Sequence, residues 1–411
     1  MDSKRVLVLV AVLVVLAAYV LTPLPRANAS ELKVGGQGQY STISAAVKAA
    51  NGGDTILVSP GTYVENVEVD KPLKIVSTNG AQATVVKASD TSKAVFLLGS
   101  TEITIQGLTI TGGNTGVTFG QISNCILTKC VVNGNVFGVY LAGATSNLVN
   151  NNNLNDNGFG IYLDGSLGNK LSGNSALHET GGGGNATYSD GIYLFYSNSN
   201  NVTRNNLSAN HVYGISLFHS AGNDISNNTI SADELIGVRL GDASNNNTLS
   251  FNTIGGNGQL GILILNAQGN QIYLNNFVKQ PVATSDASAA ILNSPEKLAY
   301  TYGGINRTGY MSNYYSDYKG NDSNGTGIGS TPSSYGDKYP LMQPISSYGT
   351  IIPASAVTPT PSTSSSSGLN QSTTATFNQS SNGTGLPGFE TPYAVAGLLI
   401  AALVVLLKHR R

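Results

Sequence analysis

The sequence predicts an all-β fold, a right-handed parallel β-helix, and three observations support it. A segment of about 22 residues recurs along the chain. Each copy contains short strands in which inward and outward positions alternate, as in "GIYL" from Gly160 and "GISL" from Gly214. Most copies also carry asparagines at the same two offsets. Because no half of the repeat favours a helix, one copy is expected to form one coil of three short strands, stacked ~4.8 Å from the next coil.

The repeats begin at a glycine or alanine, at Ala94, Gly116, Gly138, Gly160, Gly191, Gly214, Gly237 and Gly261. Successive starts lie 22 to 24 residues apart, except for the step of 31 from Gly160 to Gly191. On the opening strand of each coil, the first and third residues after the start should point inward, and the second and fourth should face solvent. This phase places Phe96 on the solvent side.

The repeated asparagines are predicted to form two ladders inside the solenoid, because equal offsets stack in successive coils. A buried amide without partners is costly, whereas a continuous stack satisfies nearly all of its hydrogen bonds. In the repeat from Gly237 the pair slips by one residue. The pairs are Asn147/Asn152, Asn169/Asn174, Asn200/Asn205, Asn223/Asn228, Asn247/Asn252 and Asn270/Asn275.

Cys125 and Cys130 occupy one rung of each predicted ladder. An exported protein can form disulfides. However, five residues of largely extended chain separate the two Cα atoms by a distance that disfavours a bridge. The alternatives are therefore a disulfide and two buried thiols.

Residues 1–29 are predicted to be a signal peptide, because Lys4 and Arg5 precede an apolar run and "ANAS" supplies a cleavage site. An uncleaved anchor is the alternative, and in both cases the body of the chain is exported. Eleven glycosylation sequons after the predicted signal peptide support an exported glycoprotein. Their asparagines are Asn185, Asn201, Asn206, Asn227, Asn246, Asn306, Asn321, Asn324, Asn370, Asn378 and Asn382.

The C-terminal part is predicted to attach the protein to the cell surface. Residues 346–386 are rich in Ser, Thr and Pro and nearly uncharged, which predicts a disordered stalk. In residues 387–411 a Pro-Gly-Phe motif precedes a short apolar run and a basic end, "KHRR". This arrangement resembles the archaeal PGF-CTERM sorting signal, which implies cleavage by an archaeosortase-type enzyme and anchoring to the membrane by a lipid. A plain transmembrane helix is the alternative.

The segment "YSTISAAVKAANGGDTILVSPGTYVENVEVDKPLKIVS" resembles the start of pectin-lyase-like β-helices, and the coils resemble NosD-type repeats. "NYYSDYKGNDSNGTGIGSTPSSYGDKYPLM" resembles the closing segment of that family. The resemblance implies a β-helix domain over residues 30–345. Within it, a cap with a short helix spans 31–60, regular coils span about 94–280, and a closing segment spans about 296–345. The terminal hydrophobic helices lie outside this domain.

The resemblance also suggests two metal ions that the protein could bind, calcium and copper. The family's closing loop looks like a calcium loop, but here only Asp322 and Asn324 remain, which predicts weaker Ca²⁺ binding. The NosD name implies a role as a copper-accessory protein. Copper sites need clustered His, Cys or Met, and the four histidines and three methionines of this chain are scattered. No metal or other cofactor is therefore predicted.

A row of tyrosines is predicted on the solvent side of the opening strands. It comprises Tyr140, Tyr162 and Tyr193, followed by Arg239, with Tyr196, His219 and Asp242 beside it. Aromatic rows with nearby polar groups suit sugar rings, which have an apolar face and a hydroxyl rim. Stacking of strand residues for stability is the alternative explanation.

The longest repeat carries about nine extra residues, which are expected to form a loop near the tyrosine row. Its ends bring Glu179 and Asp190 toward that row, and Asp164 lies one coil earlier. These three carboxylates are the candidate catalytic residues, because glycosidases use a pair of carboxylates.

These features predict a noncatalytic cell-surface glycoprotein, whose β-helix binds carbohydrate or serves as an envelope or adhesion module. Its expected partners are polysaccharides or surface glycans. The alternative is a polysaccharide lyase or glycoside hydrolase of the pectin-lyase-like class. Nucleic acid is excluded as a partner, because the net charge is -1 and no basic stripe is present.

Overall fold

The chain winds into a right-handed-type β-solenoid of about 10 turns, with very little helix. The computed structural model describes residues 29–180, 189–279, 282–284 and 290–356. Helix α1 (Ile43–Ala49) is N-capped by Thr42, buries Ile43, Ala46 and Val47, and contacts the first strands. Three short 3₁₀ segments lie at Ala81–Ala83, Ile345–Ser347 and Ala354–Ala356.

The strands are short, as expected for coils that turn every few residues. Those of the first half are β1 (Glu31–Val34), β2 (Thr55–Val58), β3 (Gly61–Val64), β4 (Val67–Val69), β5 (Lys74–Ser77), β6 (Thr84–Lys87), β7 (Ala94–Leu98), β8 (Thr104–Gln106), β9 (Thr109–Thr111), β10 (Thr115–Phe119), β11 (Ile126–Thr128), β12 (Val131–Asn133), β13 (Phe137–Ala142), β14 (Leu148–Asn150), β15 (Phe159–Asp164) and β16 (Lys170–Ser172). Those of the second half are β17 (Asp190–Phe195), β18 (Asn201–Thr203), β19 (Tyr213–Phe218), β20 (Asp224–Ser226), β21 (Thr229–Ser231), β22 (Ile236–Gly241), β23 (Thr248–Ser250), β24 (Thr253–Gly255), β25 (Leu260–Ile264), β26 (Gln271–Tyr273), β27 (Asn276–Val278), β28 (Val282–Thr284), β29 (Leu298–Tyr302), β30 (Ile305–Gly309), β31 (Tyr314–Tyr315) and β32 (Gly349–Pro353).

Three parallel sheets run along the solenoid. Sheet 1 has eleven strands in the order β1-β2-β5-β8-β11-β14-β16-β18-β20-β23-β26. Sheet 2 has ten, in the order β4-β7-β10-β13-β15-β17-β19-β22-β25-β28. Sheet 3 consists of β3-β6-β9-β12 and β21-β24-β27-β31, and isolated bridges through Asn153, Ser175 and Asn206 connect its two parts. Each coil from β2 to β28 therefore contributes one strand or bridge to each sheet.

The predicted assignment of inward and outward positions is wrong in the first repeat, the one that begins at Ala94. Strand β10 pairs with β7 so that Val117 lies opposite Phe96 and Thr118 opposite Leu97. Phe96 is therefore fully buried, and Leu97 points outward. The start assigned to Ala94 belongs one residue later, because this coil is one residue shorter than the next. A one-residue shift exchanges the two faces of a strand.

The asparagines of the two predicted ladders lie inside the solenoid and are at most 3% exposed. In each ladder, the Oδ1 of one asparagine accepts hydrogen bonds from the backbone N–H and the Nδ2 of the asparagine one coil earlier. In the first ladder, which precedes the strands of sheet 1, Asn147 donates in this way to Asn169 at 2.9 and 3.0 Å. The Nδ2 of Asn147 also donates to the carbonyl of Ile122 in the preceding coil. The amides of Asn147, Asn169, Asn200, Asn223 and Asn247 are thus each bonded to both neighbouring coils, whereas the Nδ2 of Asn270, the last rung, has no partner among the described residues.

The second ladder lies at the corner between sheet 1 and sheet 3. Asn152 donates from its backbone N–H and its Nδ2 to the Oδ1 of Asn174 at 3.1 and 3.0 Å. Further along the stack, Asn252 donates in the same way to Asn275 at 3.0 and 2.9 Å. The Nδ2 of each rung also donates to a carbonyl of the preceding coil, as Asn174 does to Val149 at 2.8 Å.

The slip of one residue at Asn247 and Asn252 does not interrupt either ladder. Strand β22 stays in register with β19, since Gly241 lies opposite Phe218, 23 residues earlier. The next bonded pair, Ser220 and Ser244, is already 24 residues apart. The extra residue is therefore absorbed at the corner between Gly241 and Ser244, before the chain reaches the asparagines. The offset from the opening glycine changes there, whereas the stacked position does not.

Cys125 and Cys130 are free thiols at the first rungs of these ladders. The Cys125 Sγ accepts the N–H of Ile103 and donates to the carbonyl of Ser100, which are the two functions that an asparagine amide performs elsewhere. Burial raises the pKa of both thiols, that of Cys130 to about 12. The thiols stay protonated and act as hydrogen-bonding members of the stack.

Two further ladders are present that the repeat pattern did not reveal. A serine ladder, which follows the strands of sheet 2, consists of Ser166, Ser197, Ser220 and Ser244. The third ladder, which precedes the strands of sheet 2, consists of Asn135, Asn157, Glu179, Asn210, Asp233 and Asn257. Every corner of the coil is therefore held by side chains that bond to the next coil.

The glycines that open the coils make room for the third ladder. A Cβ on Gly138 would lie 2.6 Å from the carbonyl oxygen of Gly160 and 2.9 Å from the Nδ2 of Asn157. On Gly191 it would lie 2.9 Å from the Nδ2 of Asn210. Contacts this short are repulsive, so the missing side chain allows the coils to approach each other while the ladder passes beside the strand.

The folded part extends beyond residue 345, where the stalk was predicted to begin. Strand β32 pairs with β29 in an antiparallel three-stranded sheet of order β30-β29-β32. Tyr348 is buried and packs on Tyr302, with ring centroids 5.0 Å apart. The remaining stalk, the signal peptide and the sorting signal lie outside the described residues. Within residues 29–356, as far as they are described, no helix is long and apolar enough to cross a membrane.

We expect Gly138→Ala to destabilise the solenoid by about 2 kcal/mol, because the new methyl group would overlap backbone that cannot move without shifting a coil. The free energy of unfolding in urea measures this change. Gly99→Ala is the matched control, since its Cβ would lie 3.7 Å from the nearest backbone atom, an ordinary contact. Equal losses in both variants would contradict the proposed role of the opening glycine.

Candidate functional site

Three tyrosines of sheet 2 lie side by side on its outer face. Tyr140 is paired in register with Tyr162, and Tyr162 with Tyr193. Their rings meet edge to face, with centroids 5.5 Å and 5.0 Å apart. All three side chains are half-buried. The strand register thus places the predicted tyrosine row on one continuous surface.

Two phenylalanines that the repeat pattern did not predict complete this surface. Phe137 and Phe159 precede the opening glycines, and their rings stack 5.3 Å apart. Together with the three tyrosines they line a groove of about 470 Å³, here called the tyrosine groove. The phase of the repeat was counted from the glycine onward, so the residues before it fell outside the predicted face.

One carboxylate lies at the polar edge of the tyrosine groove. The hydroxyl of Tyr140 donates to the Oδ2 of Asp164 at 3.0 Å. Burial and this hydrogen bond raise the pKa of Tyr140, and burial together with neighbouring Tyr193 and Asp164 raises that of Tyr162 further. The phenols therefore remain neutral, and the groove offers aromatic faces beside hydroxyl groups and one carboxylate. This combination fits a ligand with apolar faces and hydroxyl edges.

A second aromatic group lies at the far end of the strands β17 and β19. Phe195 and Phe218 stack 5.6 Å apart, and Tyr196 and His219 stack 4.7 Å apart with an interplanar angle of 4°. Tyr196 is 50% exposed. A ring contact of 6.1 Å between Phe195 and Tyr193 connects this group to the tyrosine groove.

Arg239 and Asp242 lie one coil further along. Arg239 is paired with Ser216 in sheet 2, and its guanidinium folds over Gly241. The Oδ1 of Asp242 accepts a hydrogen bond from the Nδ2 of Asn266 at 2.9 Å. Ser216 interrupts the aromatic row at this coil, so Arg239 does not continue the stack of tyrosine rings.

The three candidate catalytic carboxylates have different surroundings. Glu179 is fully buried as a rung of the third ladder, where its Oε2 accepts the N–H of Asn157 at 2.7 Å. Asp190 is 2% exposed and occupies the place on its coil that Phe159 occupies on the preceding one. Burial raises the pKa of both groups well above the usual range. Asp190 is therefore the candidate carboxyl that lies on a strand of the groove, whereas Glu179 belongs to the interior.

The structure does not bring the asparagines of the two predicted ladders to the tyrosine groove. Those of the second ladder are the clearest case, because Asn152, Asn174 and Asn252 lie between sheet 1 and sheet 3 and not beside a strand of sheet 2. They are at most 3% exposed, and their hydrogen bonds go to neighbouring coils. They hold the solenoid together and have no contact with a ligand bound on the outer face.

The aspartate of the closing loop, Asp322, accepts hydrogen bonds from the backbone of the same loop. The carboxylate of Asp322 accepts hydrogen bonds from the N–H groups of Thr326 and Gly327, and from the hydroxyl of Thr326. Asn324 is exposed beside it. In the described part of the chain, no three His, Cys, Asp or Glu residues lie close enough together to hold a metal ion.

This geometry defines a parallel β-helix protein with an aromatic groove on one sheet. The chain matches the family model "Periplasmic copper-binding protein (NosD)" over residues 47–185 and 183–320, which is more than half of its 411 residues. The protein therefore belongs to the NosD family.

Similarity to other proteins is more distant. A "Cell surface glycoprotein" of Methanothermus fervidus is 30% identical over 77 residues, which are 19% of this chain and 12% of that protein. Among solved structures, the A-module of the mannuronan C-5 epimerase AlgE6 of Azotobacter vinelandii has a TM-score of 0.48 at 20% identity, covering 57% of this chain and 70% of that one. An alginate lyase of Paenibacillus sp. has a TM-score of 0.45 at 16% identity, covering 62% and 98%. These structural similarities are too distant to indicate an activity.

The donor set does not fit the copper in the family's description. Copper is held by clustered His, Cys or Met side chains. Here His178 is near Asp156, His211 pairs with Glu234, and His219 stacks on Tyr196. These three histidines each have their own partners, and the two cysteines are buried ladder members.

We expect Asp233→Asn to remove a pH-dependent loss of stability. Asp233 is a rung of the third ladder, its Oδ2 has no hydrogen-bond partner, and burial raises its pKa to about 8. Since the unfolded pKa is about 3.9, the wild type loses stability as pH rises from about 4 to about 8. The advantage of the asparagine variant in free energy of unfolding should grow by at least about 2 kcal/mol between about pH 5 and about pH 8.

Asp233→Ala is the control for this prediction. It removes the carboxyl group and also the acceptor of Asn210, so it should lower stability even at about pH 5. A constant difference between the asparagine variant and wild type at all pH values would show that Asp233 is ionised in the folded protein.

Proposed function

We propose that this protein is a noncatalytic carbohydrate-binding module of an exported surface glycoprotein, and that the tyrosine groove is its binding site. The observation that carries the proposal is the groove itself. Five aromatic rings are held in register by sheet 2, with the Asp164 carboxylate and the Tyr140 hydroxyl at one edge. A sugar ring can lie on the aromatic faces while its hydroxyl groups bond to that edge.

A location at the cell surface fits several separate features. The chain is similar to a protein named cell surface glycoprotein. Asn206, Asn227, Asn246 and Asn306 lie in sequons and are exposed, so they are accessible to a glycosyl transferase. The predicted signal peptide, stalk and PGF-type signal would export the β-helix and anchor it after processing by an archaeosortase-type enzyme.

Tyr162→Ala is expected to weaken the binding of polysaccharide by about tenfold or more, because Tyr162 contacts four other rings of the groove. Affinity for immobilised glycans, first identified on a glycan array, measures the effect. Tyr273→Ala is the matched control, since Tyr273 is also half-buried but lies on sheet 1. If both variants bind like wild type, the tyrosine groove is not the site.

A polysaccharide-degrading enzyme is the second candidate, and Asp190 is the observation that favours it. Its pKa is raised by burial, its Oδ1 has no hydrogen-bond partner, and it lies close enough to Tyr162 to raise the pKa of that phenol. A carboxyl with a raised pKa is the usual form of a general acid. Asp164 is the second carboxylate at the groove, but it is bonded to Tyr140.

We expect the full chain to release neither reducing ends nor unsaturated uronates from the polysaccharides that it binds. Turnover that Asp190→Asn abolishes, and that Asp224→Asn on sheet 1 leaves unchanged, would reverse this assignment. Such a result would make the protein an enzyme and Asp190 its acid.

A further inference from the structure

The corner that follows strands β13, β15, β17, β19, β22 and β25 of sheet 2 contains a residue with a left-handed backbone. In two successive coils it is occupied by Gly143 and Gly165, with φ of 61° and 58°. In the next two coils the equivalent residues are Tyr196 and His219, with φ of 47° and 49°. The backbone hydrogen bonds from Gly143 to Asp164, from Gly165 to Phe195 and from Tyr196 to Phe218 establish the equivalence.

Glycine adopts this conformation freely, whereas bulky side chains adopt it at a cost. The chain thus carries two aromatic residues at a position that glycine occupies in the two preceding coils and that Ala243 and Asn266 occupy in the two following coils. Bulky left-handed residues such as Lys129, Arg204 and Phe251 also lie at corners of sheet 1, so the conformation alone does not mark a site. Tyr196 and His219 differ from these residues because their rings stack on each other, and this pair is here called the corner platform.

The corner platform continues the tyrosine groove in a diagonal direction. Ring contacts lead from Tyr162 to Tyr193 at 5.0 Å, on to Phe195 at 6.1 Å, and from Phe195 to Tyr196 at 4.6 Å. Tyr193 lies on β17 and Tyr196 follows the end of that strand, three residues later, which corresponds to at most about 10 Å along the chain. The coils of Tyr140 and His219 are three steps apart, or about 14 Å. The aromatic surface therefore crosses the coils obliquely and is longer than the groove alone.

The charges along this surface disfavour an anionic ligand. Asp164 borders the groove, and Asp242 follows His219 in the next coil. Arg239 is the cation nearest to them on sheet 2, and its charge already acts on the buried Asp190. A polyuronate would meet more carboxylates than cations here, whereas an uncharged sugar chain would meet aromatic faces and hydrogen-bonding groups.

We propose that the corner platform is a second sugar subsite, so that a neutral polysaccharide lies diagonally across the coils from the tyrosine groove to Tyr196 and His219. This inference rests on the proposed carbohydrate-binding function. It adds the class of the ligand, the direction in which the polysaccharide lies, and the two residues that lengthen the binding site. Short oligosaccharides fill the groove, and only longer ones reach the platform.

Substitution by glycine tests the platform without harming the fold. Tyr196→Gly and His219→Gly restore the residue that the preceding coils carry at this corner, and relief of the left-handed strain offsets the lost ring contacts. The thermal midpoint of each variant is expected to stay at or near that of wild type. Arg204→Gly is the matched control, because Arg204 has φ of 55° at an exposed corner of another sheet.

Binding is measured with neutral glucans, mannan and xylan, each as the polymer, the trisaccharide and the hexasaccharide. Polygalacturonate and alginate are the anionic comparisons. For the neutral ligand that wild type binds, both glycine variants should lower the affinity for the hexasaccharide about tenfold and leave the affinity for the trisaccharide nearly unchanged. Tyr196→Phe, which keeps the ring, should bind both like wild type. Tyr162→Ala should lower the affinity for both the trisaccharide and the hexasaccharide.

The outcomes separate this inference from the proposed function. If Tyr162→Ala weakens binding but the glycine variants bind both lengths like wild type, the second subsite is wrong and the groove remains the site. If wild type binds only the anionic polymers, the assignment of a neutral substrate is wrong. If wild type binds none of the polysaccharides, both proposals fail together.

Discussion

The whole solenoid depends on one interaction, the hydrogen bonding of a buried side-chain amide to the coils on either side of it. The Asn205 carboxamide, for example, bonds to Leu171 in the coil before it and to Asn228 in the coil after it. An unpaired amide in this interior would cost several kcal/mol, so a rung is tolerable only when its neighbours are in register. The ladders therefore specify which coil stacks on which, in addition to contributing stability.

That register is what builds the aromatic surface. Rings from separate coils meet because their strands are aligned residue by residue, as with Tyr140, Tyr162 and Tyr193. The opening glycines allow the coils to approach closely at the same time, because the third ladder runs through the space that a side chain would fill. The interior thus determines the outer face, and a fault in a ladder would displace a ring on the surface.

The sequence was sufficient for the periodic part of the fold, because a strict repeat turns equal offsets into equal positions. The two asparagine ladders and the three tyrosines follow from this rule alone.

The third ladder was missed because its rungs differ in type, with Glu179 and Asp233 among asparagines. Phe137 and Phe159 were missed because they lie before the glycine from which each coil was counted. The phase error at Phe96 arose where one coil is a residue shorter. Strand β32 was unexpected because its pairing with β29 joins segments far apart in the chain.

In every ladder, the side chain of one coil accepts a hydrogen bond from the backbone N–H of the coil before it. At the N-terminal side Cys125 and Cys130 start the two stacks. At the other end Asn275 donates to Asn313, and Asn313 donates to Asp337. A coil duplicated or deleted between the two ends of a ladder would repeat the same pairing of a backbone donor with a side-chain acceptor. Evolution can therefore lengthen or shorten this protein by whole repeats, and each duplication would extend its outer surface by one strand spacing, ~4.8 Å.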